Sequence, residues 1–321
     1  MKRYGVLVFL ILNSIFVFSQ DIVKVAKVKD EVAALQPDTS KKHWYINGTG
    51  AVAFSQASFT NWAAGGQNSI GLNASVNLKA NYRKGKSAWG NTIGLGYGFN
   101  IQGKGDQAVF NKTNDRIELT SAYGYEISTD KKWLITALLN FRTQFTNGYN
   151  YPNDSNVVSK FMSPGYLVCG VGVTYAPVKW FYLYMSPASG RFTFVLDTAL
   201  ANQGAFGVEV EKNPAGLNIG KNWKGEFGPY IRADMNRDFS KNINIASTLE
   251  LFTNYLKHFG NIDVNLYMQL NLKVNKWFAT SITAQVIYDD DVTIKNEAGV
   301  PLGARTQFKE ILGVGLTYSF N

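Results

Sequence analysis

Few side chains in this sequence can do chemistry. His43 and His258 are its two imidazoles and Cys169 its single thiol. A nucleophile–base pair needs both groups within hydrogen-bond reach. His43 stands beside the expected first strand and His258 in a connection on the opposite side, so both read as solvated histidines. Cys169 lies among Leu167, Val171 and Val173, where it reads as a small apolar side chain with no disulfide partner. Zinc and haem need clustered Cys or His ligands, and the sequence clusters none. No enzyme and no cofactor is expected.

Asp289, Asp290 and Asp291 form the densest acidic run. Such oxygens could hold Ca²⁺ or approach cations that bridge lipopolysaccharide, but their spacing is not that of an EF-hand loop. They are a minor metal candidate, and the start of a solvated loop is the simpler expectation. Gly94, Gly96 and Gly98 superficially suggest a phosphate-binding loop. They recur at strand period with no helix after them, so they read as room left for neighbours in a crowded interior.

The remaining charge falls on alternate positions of long strands. Lys79, Arg116, Arg142, Arg232 and Lys273 are expected on the inner face, against Glu118, Glu126, Asp234, Glu250, Asp263 and Glu310. A pore tuned to one ion sign would carry one sign of charge. Five basic against six acidic residues is nearly balanced. That balance fits either ion pairs that cross-link the lumen or a narrow wet path for uncharged and zwitterionic solutes.

The elements that position these residues are strands of unusual length. Ile70, Leu72, Ala74, Val76, Leu78, Ala80 and Tyr82 alternate with Gly71, Asn73, Ser75, Asn77, Lys79 and Asn81, and after a turn the alternation resumes through Ile101. Strands of soluble sheets run about 5 to 6 residues, whereas crossing a bilayer requires length and one apolar face. The same pattern gives twelve strands, with short turns at 83–88, 129–132, 177–179, 239–241 and 274–276. The connections between those turns are mostly longer, the asymmetry of an outer-membrane barrel. The fold class expected is therefore all-β, a transmembrane antiparallel up-and-down β-barrel with both ends in the periplasm. Trp89, Trp133, Trp180 and Trp277 flank the short turns, where amphipathic rings favour the headgroup boundary.

Residues 187–225 fit this scheme least well. They read as one long extracellular or lumen-plugging loop, or alternatively as two further strands, Arg191 to Ala199 and Ala205 to Lys212, which make fourteen. The barrel as a whole is expected over 43–321, after a flexible periplasmic lead-in at 20–42. Lys2 and Arg3 before the apolar run Tyr4 to Phe18 mark residues 1–19 as a secretory signal. Without those two cations 30 basic and 23 acidic residues remain, a net charge of +7. This charge is scattered, which argues against nucleic acid as a partner. Mean hydropathy of −0.12 does not argue against a membrane, because barrels interleave apolar with polar residues.

Two segments carry resemblances. Gly313-Val314-Gly315-Leu316-Thr317-Tyr318-Ser319-Phe320 resembles the C-terminal signal by which outer-membrane barrels are recognised for insertion, here followed by one extra residue, Asn321. Ser55 to Gly66, containing Asn61-Trp62-Ala63-Ala64-Gly65-Gly66, together with Tyr288 to Asp291 and the last strand, resembles a Bacteroidota family of outer-membrane barrels of unestablished function. The resemblance implies the outer membrane of a Gram-negative bacterium, with lipid, lipopolysaccharide and the barrel-insertion machinery as partners. It implies no activity. The function expected is a narrow, porin-like transport channel for small hydrophilic solutes; the alternative is a non-conducting structural or docking barrel whose long loops bind a partner protein or a surface glycan.

Overall fold

The computed structural model describes residues 43–58, 68–103, 105, 108–151, 154–275, 278–292 and 302–320. The expected signal at 1–19, the lead-in at 20–42 and the Asn61 to Gly66 element lie outside them. In chain order the strands are β1 (Trp44–Ala57), β2 (Ser69–Lys84), β3 (Ser87–Gln102), β4 (Val109–Glu126), β5 (Trp133–Thr143), β6 (Gly148–Tyr149), β7 (Val157–Ser159) and β8 (Gly165–Val178). They continue with β9 (Phe181–Phe194), β10 (Val210–Lys212), β11 (Asn218–Gly220), β12 (Trp223–Asp238), β13 (Ile243–Phe252), β14 (Asp263–Lys273), β15 (Phe278–Tyr288) and β16 (Gln307–Phe320). One helical turn, α1 (Thr198–Asn202), follows β9.

Twelve of these strands close into an antiparallel ring in which each pairs with the next long strand along the chain. β1 completes the ring against β16, from Gly48 opposite Phe320 to Val52 opposite Leu316. Closure leaves no sheet edge, so backbone N–H and C=O groups at membrane depth are paired within the protein. The two hairpins β6–β7 and β10–β11 sit inside the long connections. Both ends of the ring, the start of β1 and the end of β16, lie with the short turns.

The count of twelve overturns the fourteen-strand alternative, and the boundary at 187 is corrected with it. The chain does not leave the sheet at Ser186; β9 continues to Phe194. Pro187 sits at an irregularity where the register against β8 slips between Val171 and Val173. A proline cannot donate to a ladder and is tolerated at a bulge. The slip also changes which side chains point inward. Tyr182, Tyr184 and Ser186 are buried before it, whereas Ser189 and Thr193 are buried after it. The supposed second strand at 205–212 is instead a 3₁₀ turn (Ala205–Gly207) and the three residues of β10.

The outer wall is apolar and the inner wall mostly polar. Ile46, Phe54 and Val171 are 71%, 61% and 60% exposed on the outside, values that in water would demand an explanation and in lipid need none. Inside, Asn77, Thr174 and Asp234 are fully buried. The twelve-stranded barrel is thus a transmembrane one, and much of its lumen is filled. Part of that filling is apolar: Leu134, Leu138, Val168, Tyr182, Tyr184 and Phe252 pack together along the inner wall. Of β5, the sequence had pointed inward only to Arg142. Narrow barrels fill their interiors with side chains, and two leucines supply volume that Thr136 and Asn140 do not.

Tightly spaced glycines make this packing possible. Gly96 and Gly98 face inward, and a Cβ on Gly98 would lie 2.1 Å from Asn73 Oδ1, while one on Gly96 would lie 2.7 Å from Asn114 Nδ2. Their missing side chains are the space that those amides occupy. Rings gather at both rims. Trp44 lies 5.9 Å from Trp89, and Trp133 4.4 Å from Tyr175, at the short-turn end. Phe227, Tyr255 and Phe259 form a ladder at the other end, with centroids 6.0 and 5.5 Å apart.

Candidate functional site

Inside the lumen, charges placed by alternate positions of neighbouring strands meet as cross-strand pairs. Arg232 on β12 stands opposite Glu250 on β13. Its guanidinium grips Asp234 through Nε at 2.7 Å and Nη2 at 3.1 Å, with Nη1 3.6 Å from Glu250. Glu250 also accepts from Tyr230 Oη and Asn265 Nδ2, each at 2.7 Å, and lies 3.7 Å from Arg142. On the facing wall Asn140 donates to Glu118 at 3.0 Å and Thr120 at 2.7 Å, while Arg116 approaches Glu118 at 3.6 Å. Nearer the short turns Arg83 pairs with Glu126. These groups form an interlocked layer across the barrel. Buried charges tolerate such a position only when paired and hydrogen-bonded.

Above this layer, toward the long connections, a cavity of about 490 Å³ opens. Arg191 on β9 lines it. Its Nε and Nη2 donate to the two oxygens of Glu226 at 2.9 and 2.7 Å, its Nη1 lies 2.5 Å from Asp263 and 3.7 Å from Asp289, and its plane sits 4.4 Å from the Phe252 ring. Glu226 is the direct cross-strand partner of Arg191. Lys224 pairs with Asp291 and lies 3.4 Å from Glu226. Tyr166, Tyr230, Tyr288 and Phe206 also line it.

Phe206 belongs to the connection between β9 and β12, which has a small core of its own. Val195, Leu200, Ala201 and Val208 are buried together there. Asp197 caps α1 by accepting from the Leu200 N–H at 3.0 Å and pairs with Lys160 at 2.6 Å. The Lys160 hydrogen bond, followed by that from Leu200, holds its carboxyl below the usual range. Burial pushes Asp289 up, opposed by Arg191. Burial also raises Asp291, but the hydrogen bond from Lys224 together with the charges of Lys224 and Arg191 outweighs it, and the net direction is down.

Most of the expected lumen residues lie on the inner wall, but not together. Lys79 is buried on β2, Arg116, Glu118 and Glu126 line β4, and Arg142, Arg232, Asp234 and Glu250 build the central layer. Asp263 belongs to the vestibule. Lys273 is exposed at the short-turn rim, the last residue of β14. Glu310 is a correction. It is exposed on β16 at the same strand parity as Phe308 and Leu316, opposite Ala284, so it projects outward and lines no lumen. Its charge had pointed inward, whereas its parity with Phe308 and Leu316 puts it on the outer face.

Asp289 and Asp290 come together with Asp263, and Asp290 and Asp291 with His258. Arg191 and Lys224 supply positive charge there, His258 Nδ1 is 3.6 Å from Asp290, and Asn261 donates to Asp290 at 2.7 Å. The run therefore closes the rim of the vestibule through side chains of the protein itself. His43 flanks Tyr82 at the short-turn rim, at the other end of the barrel from His258. Arg191, Lys224 and Glu226 are the residues that sequence reasoning missed. The signal was present as Ser189, Arg191 and Thr193 alternating with Phe192 and Phe194, one residue out of phase with the strand before Pro187.

Residues 54–149 match the model of a family described as "Protein of unknown function (DUF3078)". Among proteins of curated function none matches the chain. Solved barrels are similar in architecture. The translocator domain of the autotransporter NalP from Neisseria meningitidis is 9% identical, at a TM-score of 0.34, over 92% of this chain and 94% of its own. An outer-membrane channel from Pseudomonas putida F1 is 8% identical, at a TM-score of 0.39, over 89% and 100%. The toluene transporter TodX of P. putida is 9% identical, at 0.32, over 90% and 91%.

Proposed function

We propose that this chain is an outer-membrane barrel that receives small hydrophilic solutes in the vestibule at its long-connection mouth and passes them through a narrow, mixed-charge lumen. No catalytic step is part of this reading. The observation that carries it is the cavity of about 490 Å³ set directly above the Arg142–Glu250–Arg232 layer. A cavity of that size suits a small ligand, and the layer beneath it is the constriction. The apolar outer wall of the barrel supports a seat in lipid, and its strands of 10 to 18 residues suffice to cross a bilayer with some projecting beyond it.

Planar-bilayer conductance and vesicle swelling test the reading. The wild type is expected to give a small conductance and to admit low-mass sugars slowly. Truncating the layer in Arg142→Ala/Glu250→Ala raises both. A barrel that stays closed to ions and sugars in both forms contradicts the proposal.

A second reading, a docking barrel, draws on Leu217, Ile219, Leu256 and Phe259, which stand exposed on the β10–β11 hairpin and the β13–β14 connection. Exposed apolar residues beyond the strands are a feature of partner surfaces. Crosslinking in intact cells followed by purification separates the two readings, since a solute channel yields no stoichiometric partner at these residues.

A further inference from the structure

The vestibule differs in sign from the chain that builds it. Six carboxylates line it, from Asp115, Glu226, Glu250, Asp263, Asp289 and Asp291. Three cations answer them, Arg142, Arg191 and Lys224. Lys112 and Arg232 pair with these groups from just outside and Asp234 pairs with Arg232, and including all three leaves seven acids against five bases. The whole chain carries +9. A negative cavity in a basic protein, walled by low-dielectric strands, concentrates cations.

The cations present are directed at the protein's own acids. Arg191 spends both sides of its guanidinium on Glu226, Asp263 and Asp289 and its face on Phe252, and Lys224 is shared between Glu226 and Asp291. To engage Arg191 or Lys224 an anionic solute would have to break these pairs, which leaves it Arg142, 3.7 Å from Glu250. A cation need only add to carboxylates that already outnumber their bases. The aromatic and apolar lining, Tyr166, Phe252, Ile287 and Tyr288, offers ring faces and hydrocarbon contact beside those oxygens. Arg191 shows which chemistry the box accommodates: a planar cation against a ring, with carboxylates at its edge.

Taking the vestibule as a solute site, we infer that it selects compact organic cations, a guanidinium or ammonium head on a short apolar stem, over anions of the same size.

The test is calorimetric titration of the full barrel in octyl glucoside with N-butylguanidinium and with pentanoate, which share a butyl stem and differ in the sign of a planar head. Butylguanidinium is expected to bind about tenfold tighter or more. Asp289→Asn/Asp291→Asn, which alters two residues beyond the end of β15, weakens it by about tenfold, while Asp130→Asn at a short turn leaves it unchanged. Equal or tighter binding of pentanoate overturns the inference, as does failure of butylguanidinium to bind up to about 20 mM. Swelling of vesicles in a neutral sugar is measured beside it. Sugar uptake without cation preference removes this inference alone, whereas no uptake of any solute removes the channel reading on which it rests.

Discussion

Gly172 on β8 lies where the Pro187 irregularity of β9 presses closest: a Cβ there would sit 2.2 Å from the Met185 carbonyl oxygen and 2.8 Å from Ser186 Cα. Both obstacles are backbone in a paired strand and cannot swing aside. Gly172→Ala is expected to destabilise the barrel by about 1–3 kcal/mol in urea titrations of vesicle-inserted protein. Gly94 faces the same lumen, but a Cβ there meets only Arg116 Nη2, at 3.5 Å, an ordinary contact. Gly94→Ala is expected within about 0.5 kcal/mol of wild type, and equal losses at the two positions would refute this account of the packing. Arg191→Met leaves Glu226, whose side chain is 2% exposed, without its bidentate partner. Stranding a buried charge typically costs about 3–5 kcal/mol, and the low end is expected because Lys224 Nζ remains 3.4 Å away. Adding Glu226→Gln should recover part of the loss in the same titration. A double variant that is merely additive would mean the two side chains do not interact.

Among the elements, the connections at the long-loop end are tied by charge. Glu209, before β10, accepts from Lys221 Nζ and Lys257 Nζ, each at 2.7 Å, and so joins the β9–β12 connection to the β13–β14 connection. The hydrogen bond from Lys221, then that from Lys257, lowers its carboxyl from 4.5 to about 2. A depressed acid contributes its stabilisation above its ordinary value and loses it as pH falls through the depressed one. The tie is therefore present above about pH 4.5 and fades toward pH 2. Amide exchange in 209–221 and 253–262, corrected for intrinsic rates, should be slow at pH 6 and faster at pH 2, and fast at both in Glu209→Gln. Protection that survives pH 2 unchanged would sink the tie. Being exposed, it should also weaken with salt. The same elements show what the sequence could reveal. Strands such as β2 and β3 keep one phase throughout, so their faces follow from alternation alone. β9 changes phase at Pro187, and a one-residue slip moves every later side chain to the other face. That slip concealed Arg191. The vestibule was only partly legible, because it needs residues of nine strands brought together by ring closure, which no local pattern encodes.

The barrel as a whole divides two solvents. Ile135, Leu139 and Val171 face outward on β5 and β8, while Thr136 and Asn140 face a packed interior, both almost wholly buried. Hydrocarbon removed from water contributes roughly 25 cal/mol per Å², so such a surface holds the barrel in lipid while the interior is held by ion pairs, amides and the apolar cluster around Leu134. The solute reading, the cation preference and the costs at Gly172 and Arg191 all presuppose that arrangement. It is tested most directly by nitroxide labels at single cysteines, placed at 135, 139 and 171 and at 136 and 140 in a Cys169→Ser background, on protein reconstituted into bilayers. Relaxation by oxygen, which concentrates in lipid, should be strong at the first three positions and small at the other two, and a water-soluble nickel chelate should reach none of them. Strong relaxation by the nickel chelate at 135, 139 and 171 would contradict the account at its root, because it would put water where lipid is required.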